Sequence, residues 1–377
     1  YMGFIGAVFG LSSVAGPLLG GLFTDVLSWR LAFWINVPLG IAAIVLAVML
    51  IKLPKFPDAP KPVIDVAGMI TLAVAASGLV LTASWGGTEY DWNSPTILAL
   101  IATAVLGAGA FVWAESRAAE PIIPLALFRN SNFVLATSAG LVIGVSMFGT
   151  LAYLPTYLQM VTGVNATISG FMLIPMILGM MITAITTGQL AARTGRYKWM
   201  PLASMVVLGV GMWLLSTLTV ETALPLLLGY LFVMGVGIGF GMQILILIVQ
   251  NAFPDRMVGT ATAANNFFRE IGASVGSAIV GALFTSRLTT LLTDRLPEGG
   301  TGGDTNALTP AAVADLPDAL REIVVGAYND ALTPVFLMLV PLVAVGFVLL
   351  LFVKEAPLRA TLEPVEDDGV DAPVVAG

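Results

Sequence analysis

The strongest chemical signal in this 377-residue chain is a pair of adjacent charges, Arg269 and Glu270, inside the apolar run Gly259–Ser286. Each stands about ten residues into that run, roughly 15 Å along a helix and so near the middle of a ~30 Å hydrocarbon layer. A charge at that depth is costly unless it faces protein or water, which makes the carboxylate a candidate for binding a proton or attracting a cation. Adjacent helical residues do not face one another, so the two need not pair. Arg269 shares a face with Asn265, Gly272 and Gly276; Glu270 shares one with Asn266, Ala273 and Ser274. A second reading stays open, in which the helix begins later and both charges sit at the interface, with Arg269 snorkelling to the polar side. The chain has no His and no Cys. That removes the commonest general base, the commonest metal ligand and any disulfide or thiolate site. No metal and no cofactor is expected.

Other polar side chains stand singly within apolar runs: Tyr153, Tyr157, Gln189, Gln243, Asn265 and Asn266, with Gln159 and Asn251. They could line a cavity or hydrogen-bond between helices. Phe148, Trp213, Phe240 and Phe267 with Met176, Met180 and Met181 offer either a soft pocket for apolar molecules or lipid-facing surface. Asp25 and Arg30 flank a turn, five apart, and read as residues that cap or pair at the outer interface, with a topological and not a catalytic role. Asn165-Ala-Thr167 matches a glycosylation sequon, a short pattern common by chance.

The elements that must carry these residues are set by composition. The chain is 58% hydrophobic and only 10% charged, with a mean hydropathy of +0.95, against about 25% charged in ordinary soluble domains. A bilayer is therefore the solvent, and a span needs about 20 mostly apolar residues. Ten such runs are present: Met2–Phe23, Phe33–Ile51, Val66–Trp85, Thr96–Trp113, Phe133–Tyr157, Ile168–Ala191, Trp199–Leu218, Ala223–Val249, Gly259–Ser286 and Ala331–Val353. The first residue is Tyr1, with no charged leader before the apolar run, so the chain is expected to begin inside a membrane helix rather than with a signal peptide.

The basic residues alternate across the connections. One set holds Lys52, Lys55 and Lys61, then Arg117 and Arg129, then Arg193, Arg196 and Lys198, then Arg256, then Lys354 and Arg359. The other holds Arg30, Arg287, Arg295 and Arg321. The positive-inside rule places the first set and the C-terminus in the cytoplasm. The basic residues are spread over separate loops, so no nucleic-acid surface is expected. The outer connection 287–330 starts Gly-rich, and its later part, about Thr309–Leu332, is expected to lie as an amphipathic helix on the membrane surface. Residues 355–377 are acidic and proline-containing and are expected to be a disordered cytoplasmic tail.

Two glycine-rich stretches have mechanical consequences. In "SSVAGPLLGG", Ser12, Gly16 and Gly20 form one stripe of small residues, with Gly21 beside it and Pro17 as a kink. Small residues four apart let helix backbones approach closely, and membrane helices tolerate proline when neighbours re-satisfy the freed carbonyl. "MGVGIGFG" (Met234–Gly241) carries two overlapping stripes of this kind, suited to a helix that slides or simply to close packing.

The first stretch closely resembles the antiporter motif on the fifth helix of major facilitator drug exporters. The adjoining "SWRLAFWINVPLG" is similar to the outer turn into helix six of the fourteen-helix drug:proton antiporter family. The departure is Ser12, where Gly is frequent. "GTLAYLPTYLQMVTGVNATISGFMLIPMILG" resembles that family's seventh-to-eighth helix region, and "TATAANNFFREIGASVGSAIVGALF" its penultimate helix. "GQLAARTGRYKW" resembles the second-half copy of the superfamily's loop motif, with Gly188, Arg193, Gly195 and Arg196 matching and Ala192 standing where Asp is frequent. The resemblance implies an all-α polytopic fold of two six-helix halves around a cavity, with about ten of fourteen helices in this chain and about four before it. On that register, residues 1–52 are the last two helices of the first half and 53–131 two extra helices. Residues 132–354 are the second half, and 355–377 the tail. The loop motif is a latch of helix ends in one state of alternating access, or plain topological anchoring.

The function so implied is export of amphipathic drugs or antibiotics across the cell membrane by proton antiport, without enzymatic chemistry. The partners are then a small-molecule substrate, protons and lipid, with the protein a monomer. A proton-independent facilitator or metabolite importer is the first alternative. A membrane-embedded lipid-modifying enzyme is the remote one, for which no clustered acid, base or metal site is present.

Overall fold

A computed structural model of the protein describes residues 12, 15, 16, 19–50, 63–87, 89–296 and 309–357. Among these, nine helices are long and apolar enough to cross a membrane. They are α1 (Leu31–Leu50), α2 (Val66–Trp85), α3 (Pro95–Glu115), α4 (Ser131–Thr162), α5 (Ala166–Thr194), α6 (Trp199–Ser216), α7 (Leu224–Asn251), α8 (Asp255–Arg295) and α9 (Asp318–Leu351). Among the described residues there is no strand, only an isolated bridge between Gly86 and Tyr90. Most of the expected span Met2–Phe23 lies outside the described residues, as does Pro17. The segment closes in a π-helical turn, Phe23–Leu27.

Helix ends obey local chemistry. Asp65 caps α2 by accepting from Gly68 N at 2.7 Å. Asn130 caps α4 by accepting from Asn132 N at 2.9 Å, and Asn165 caps α5 by accepting from Ile168 N at 2.9 Å. Each satisfies amides that have no partner inside the helix. Gly163 and Gly195 end α4 and α5 with φ of 70° and 68°, the left-handed conformation that suits glycine at a helix C-terminus. Both helices are also interrupted: α4 at Ala152–Tyr153 before Pro155, and α5 at Leu173 before Pro175. A proline ring cannot donate the next helical hydrogen bond.

The core forms where α4 to α9 pack together, around buried Phe133, Leu154, Leu158, Met200, Leu208, Leu231 and Phe336. Glycines set how closely the helices meet. Along the α4–α8 seam, a Cβ at Gly144 would collide with Arg269 O, one at Gly272 with Leu141 O, and one at Gly276 with Val145 O. Helix α7 is gripped on two sides. Its Gly235 and Gly239 lie against Met176 and Met180 of α5, while Gly237 lies against Leu208 of α6, where a Cβ would come within 2.6 Å of the amide nitrogen. The two stripes in "MGVGIGFG" are thus two faces packed on two different neighbours. Helices α2 and α3 pair with each other through Gly78 and Gly107, and α2 also rests on α8. Helix α1 is exposed along its whole length.

Two helices outrun the lipid. Helix α8 has 41 residues and α9 has 34, about 60 and 50 Å at 1.5 Å per residue, against a ~30 Å hydrocarbon core. The expected surface helix over Thr309–Leu332 is replaced by a short turn of helix, Pro310–Ala314, and by the continuous rise of α9 from Asp318. This first part of α9 stands upright because it packs on α8. Arg295 of α8 pairs with Asp330 at 2.7 Å, and Arg287 reaches the Asp330 carbonyl at 3.5 Å.

Candidate functional site

The antiporter-like segment docks on the start of α5. Gly21 is buried, and a Cβ there would sit 2.7 Å from Thr167 Cα and 2.8 Å from Ala166 O. One turn further on, Asp25 takes over the amides that open α5. Its Oδ1 accepts from Ala166 N at 3.3 Å, and its Oδ2 accepts from Thr167 N at 2.8 Å and from Thr167 Oγ1 at 2.5 Å. A negative charge at a helix N-terminus is favourable. The Thr167 hydroxyl holds the Asp25 carboxyl below its ordinary range, opposed by partial desolvation. Of the other stripe residues, Gly20 is half-buried, Ser12 and Gly16 are exposed, and Pro17 is outside the described residues. Asp25, read from sequence as capping or pairing with Arg30 at the outer interface, takes the amides of a distant helix instead of pairing with Arg30. No signal along the chain links it to a threonine 142 positions away.

The charged pair lies on α8. Arg269 Nη2 meets Glu270 Oε1 at 3.2 Å, so the two side chains do bend together. Arg269 is 18% exposed at its side chain and Glu270 59%. The Arg269 backbone carbonyl faces Gly144 in the α4 seam. The geometry therefore leaves the carboxylate accessible and the guanidinium folded against protein.

The remaining candidates do not converge on one cavity. Asn265 is buried and donates to Thr137 Oγ1 of α4 at 3.1 Å, a bond between helices. Asn266 Oδ1 is buried without a hydrogen-bond partner. Tyr157 is buried and donates to Asn329 Oδ1 of α9 at 2.8 Å. Tyr153 stacks against Phe284, which in turn packs on Tyr328. Gln189 and Gln243 are exposed.

The loop motif forms one end of the bundle. Gly188 is exposed with open space around it, and Gly195 makes the left-handed turn. Arg193 and Arg196 are exposed. Although Ala192 brings no carboxylate to this loop, one arrives from elsewhere: Glu355 Oε1 accepts from Tyr197 N at 2.6 Å and Lys198 N at 3.1 Å. Beside it opens a cleft of about 1040 Å³ lined by Arg196, Gln250, Asn251, Asp255 and Glu355, among others. Sequence reasoning missed Glu355, which lies in what reads as a disordered tail.

Comparison with known proteins accounts for the arrangement. The chain is 44% identical over 376 residues to an uncharacterized MFS-type transporter of Mycobacterium tuberculosis, covering 99% of this chain and 54% of the relative. It thus spans about half the length of that relative. It is 34% identical to the multidrug transporter protein MdtP of Bacillus subtilis, covering 97% of this chain and 72% of the relative. A second Bacillus subtilis protein, multidrug resistance protein 3, is 33% identical, with 96% and 72% covered. Among solved structures, a bacterial homolog of the human lysosomal transporter Spinster shares the fold at a TM-score of 0.53 and 12% identity, over 93% of this chain and 82% of that one. The Major Facilitator Superfamily profile matches residues 1–277; this chain is an integral membrane protein of the major facilitator superfamily.

Proposed function

We propose that the protein exports amphipathic small molecules across the cell membrane by proton antiport, as a transporter of the fourteen-helix drug exporter type. The observation that carries this reading is the seating of the antiporter-like segment on α5 through Gly21 and Asp25. On the proposed division of the chain, that contact joins the last helices of the first half to the second half. The two halves of an alternating-access transporter must touch at one mouth while the other is open. The identity to two proteins named for multidrug transport and resistance supports the same reading. The end carrying Arg193, Arg196, Lys198 and Lys354 is then cytoplasmic, and the Asp25 contact closes the outer mouth.

In this reading Glu270 is the protonation site, a carboxylate within a span whose side chain is 59% exposed. Arg269 stays folded against it and limits the charge left when the proton is released. The test is efflux of a fluorescent lipophilic cation from cells expressing the intact protein, with and without a proton uncoupler. Antiport predicts that the uncoupler abolishes efflux. Undiminished efflux rejects proton coupling and favours a facilitator. Glu270→Gln is expected to remove drug-induced proton release; an unchanged proton signal makes Glu270 structural.

A further inference from the structure

The five residues Val353–Pro357, at the end of α9, do not leave the bundle. They form no regular secondary structure and are gripped by three other elements. Asn132, in the first turn of α4, holds Lys354 on both backbone groups: its Nδ2 donates to Lys354 O at 2.8 Å, and its Oδ1 accepts from Lys354 N at 2.9 Å. The loop before α6 holds the next two residues. Glu355 Oε1 takes the Tyr197 and Lys198 amides. The Tyr197 hydroxyl donates to Ala356 O at 2.9 Å and accepts from Ala356 N at 3.0 Å. Asn251, closing α7, donates towards Pro357 O at 3.2 Å. Lys198 Nζ then reaches back to Leu351 O, a carbonyl in the last turn of α9, at 3.0 Å.

Two features make this more than incidental contact. First, α6 has no side-chain cap from its own sequence, and Glu355 takes the two amides that lead into it, Tyr197 and Lys198, with a charge of the sign a helix N-terminus favours. Second, the partners read backbone, not side chains. The amide of Asn132 and the hydroxyl of Tyr197 each bond a backbone N–H and C=O of one residue, as a neighbouring strand would. Tyr197 itself is 1% exposed, so the gripping hydroxyl is fixed by a packed ring.

We infer that residues 353–357 are a strap that ties the ends of α4, α6, α7 and α9 into one rigid body, with Glu355 as its charged anchor. A bundle that rocks as a unit needs its helix ends fastened, because the apolar faces inside a bilayer gain nothing from the hydrophobic effect in staying together. The strap adds polar bonds at the end where α4 starts and α9 stops, beside the apolar packing of Phe133 on Phe253 and the Asn130 bond to Ala252 O that already join α4 to the end of α7. The fastening itself does not depend on the export reading; only the transport arm of the test does.

The test is backbone hydrogen exchange of the intact protein in lipid nanodiscs, comparing wild type with Glu355→Ala, Glu355→Gln and Asn132→Ala. With the strap, Glu355→Ala raises exchange at the Tyr197, Lys198 and Ala356 amides tenfold or more and also speeds exchange in the first turn of α4, which Glu355 does not touch. Asn132→Ala does the reciprocal, speeding exchange at Tyr197 and Lys198. Glu355→Gln, which keeps an acceptor but not the charge, falls between. Exchange that rises only at the residues directly contacted overturns the strap, as does exchange unchanged within twofold. In the transport arm, Glu355→Ala lowers efflux while leaving the amount of folded protein in the membrane unchanged. Efflux at the wild-type rate with exchange raised as above leaves the fastening in place and removes its role in transport.

Discussion

Tyr157 and Asn329 show what a single polar residue does in an interior that offers no water. Both are buried, and their bond joins α4 to α9 across 172 positions of sequence. Asn329→Ala leaves the Tyr157 hydroxyl without a partner and is expected to destabilise the protein by about 1–3 kcal/mol. Adding Tyr157→Phe removes the stranded hydroxyl as well and is expected to recover most of that loss. Thermal unfolding of the two single variants and the double variant in detergent measures both effects. Tyr157 reads from sequence as a cavity liner or an interhelical bond, and in the structure it makes such a bond. Asn265 with Thr137 gives the same outcome. The choice is illegible in sequence because it depends on which helix stands opposite, and polar residues in membrane helices carry no mark of their partner.

At the scale of the element, the two stripes of Met234–Gly241 keep their physical meaning: their spacing announces close approach, and the structure supplies a neighbour on each face. The stripe of Ser12, Gly16 and Gly20 does not, because nothing lies within 4 Å of the missing Cβ of Gly16 or Gly20, and Gly21 beside it makes the close approach instead. Gly144→Ala drives a methyl onto the Arg269 carbonyl, and Gly237→Ala drives one onto the Leu208 backbone. Neither neighbour is a flexible side chain, so the helices must separate, at a cost of about 1–3 kcal/mol each. Gly188→Ala is the control, because nothing lies within 4 Å of its missing Cβ. It is expected to leave unfolding unchanged or slightly improved, since alanine is the better helix former. The comparison is made by thermal unfolding of the three variants. Element length is less legible. The extensions of α8 and α9 pass from lipid into water, where mean hydropathy falls but the helix continues. A hydropathy window reports the solvent of a segment and not its backbone conformation, which is why the start of α9 reads as a separate surface helix.

At the scale of the whole molecule, the contact of Asp25 with α5 joins the two halves of the proposed division. Hydrogen bonds from Thr167 lower the Asp25 carboxyl from its ordinary value of 3.8. A lowered carboxyl stabilises the docked arrangement above the ordinary value, and that contribution is lost as pH falls through the lowered one. The contact is therefore expected to hold unchanged between about pH 5 and 9 and to weaken only in stronger acid. In the proposed transport cycle its release is then mechanical and not a titration at neutral pH. Asp25→Asn removes the charge at every pH and is expected to broaden the separation at pH 7. The chain has no Cys, so spin labels at Val26→Cys and Ile168→Cys, both exposed, report the distance without interference. A wild-type distance that shifts near neutral pH overturns the assignment.

The sequence by itself determined the solvent of the chain, the position of its apolar spans, and the chemistry that no His and no Cys can perform. These are local properties: transfer of about 20 apolar residues into lipid, or a functional group simply missing from the composition. Tertiary structure alone decided that Asp25 opens α5, that Tyr157 finds Asn329, that Arg269 and Glu270 bend together, and that Glu355 reaches the amide of Lys198, 157 positions earlier. Each of these is a short-range polar bond whose strength depends on distance and direction, and those are set only when separate helices have packed. Hydrophobicity is read residue by residue along a chain, while a hydrogen bond exists only between two groups that the fold has brought to within about 3 Å.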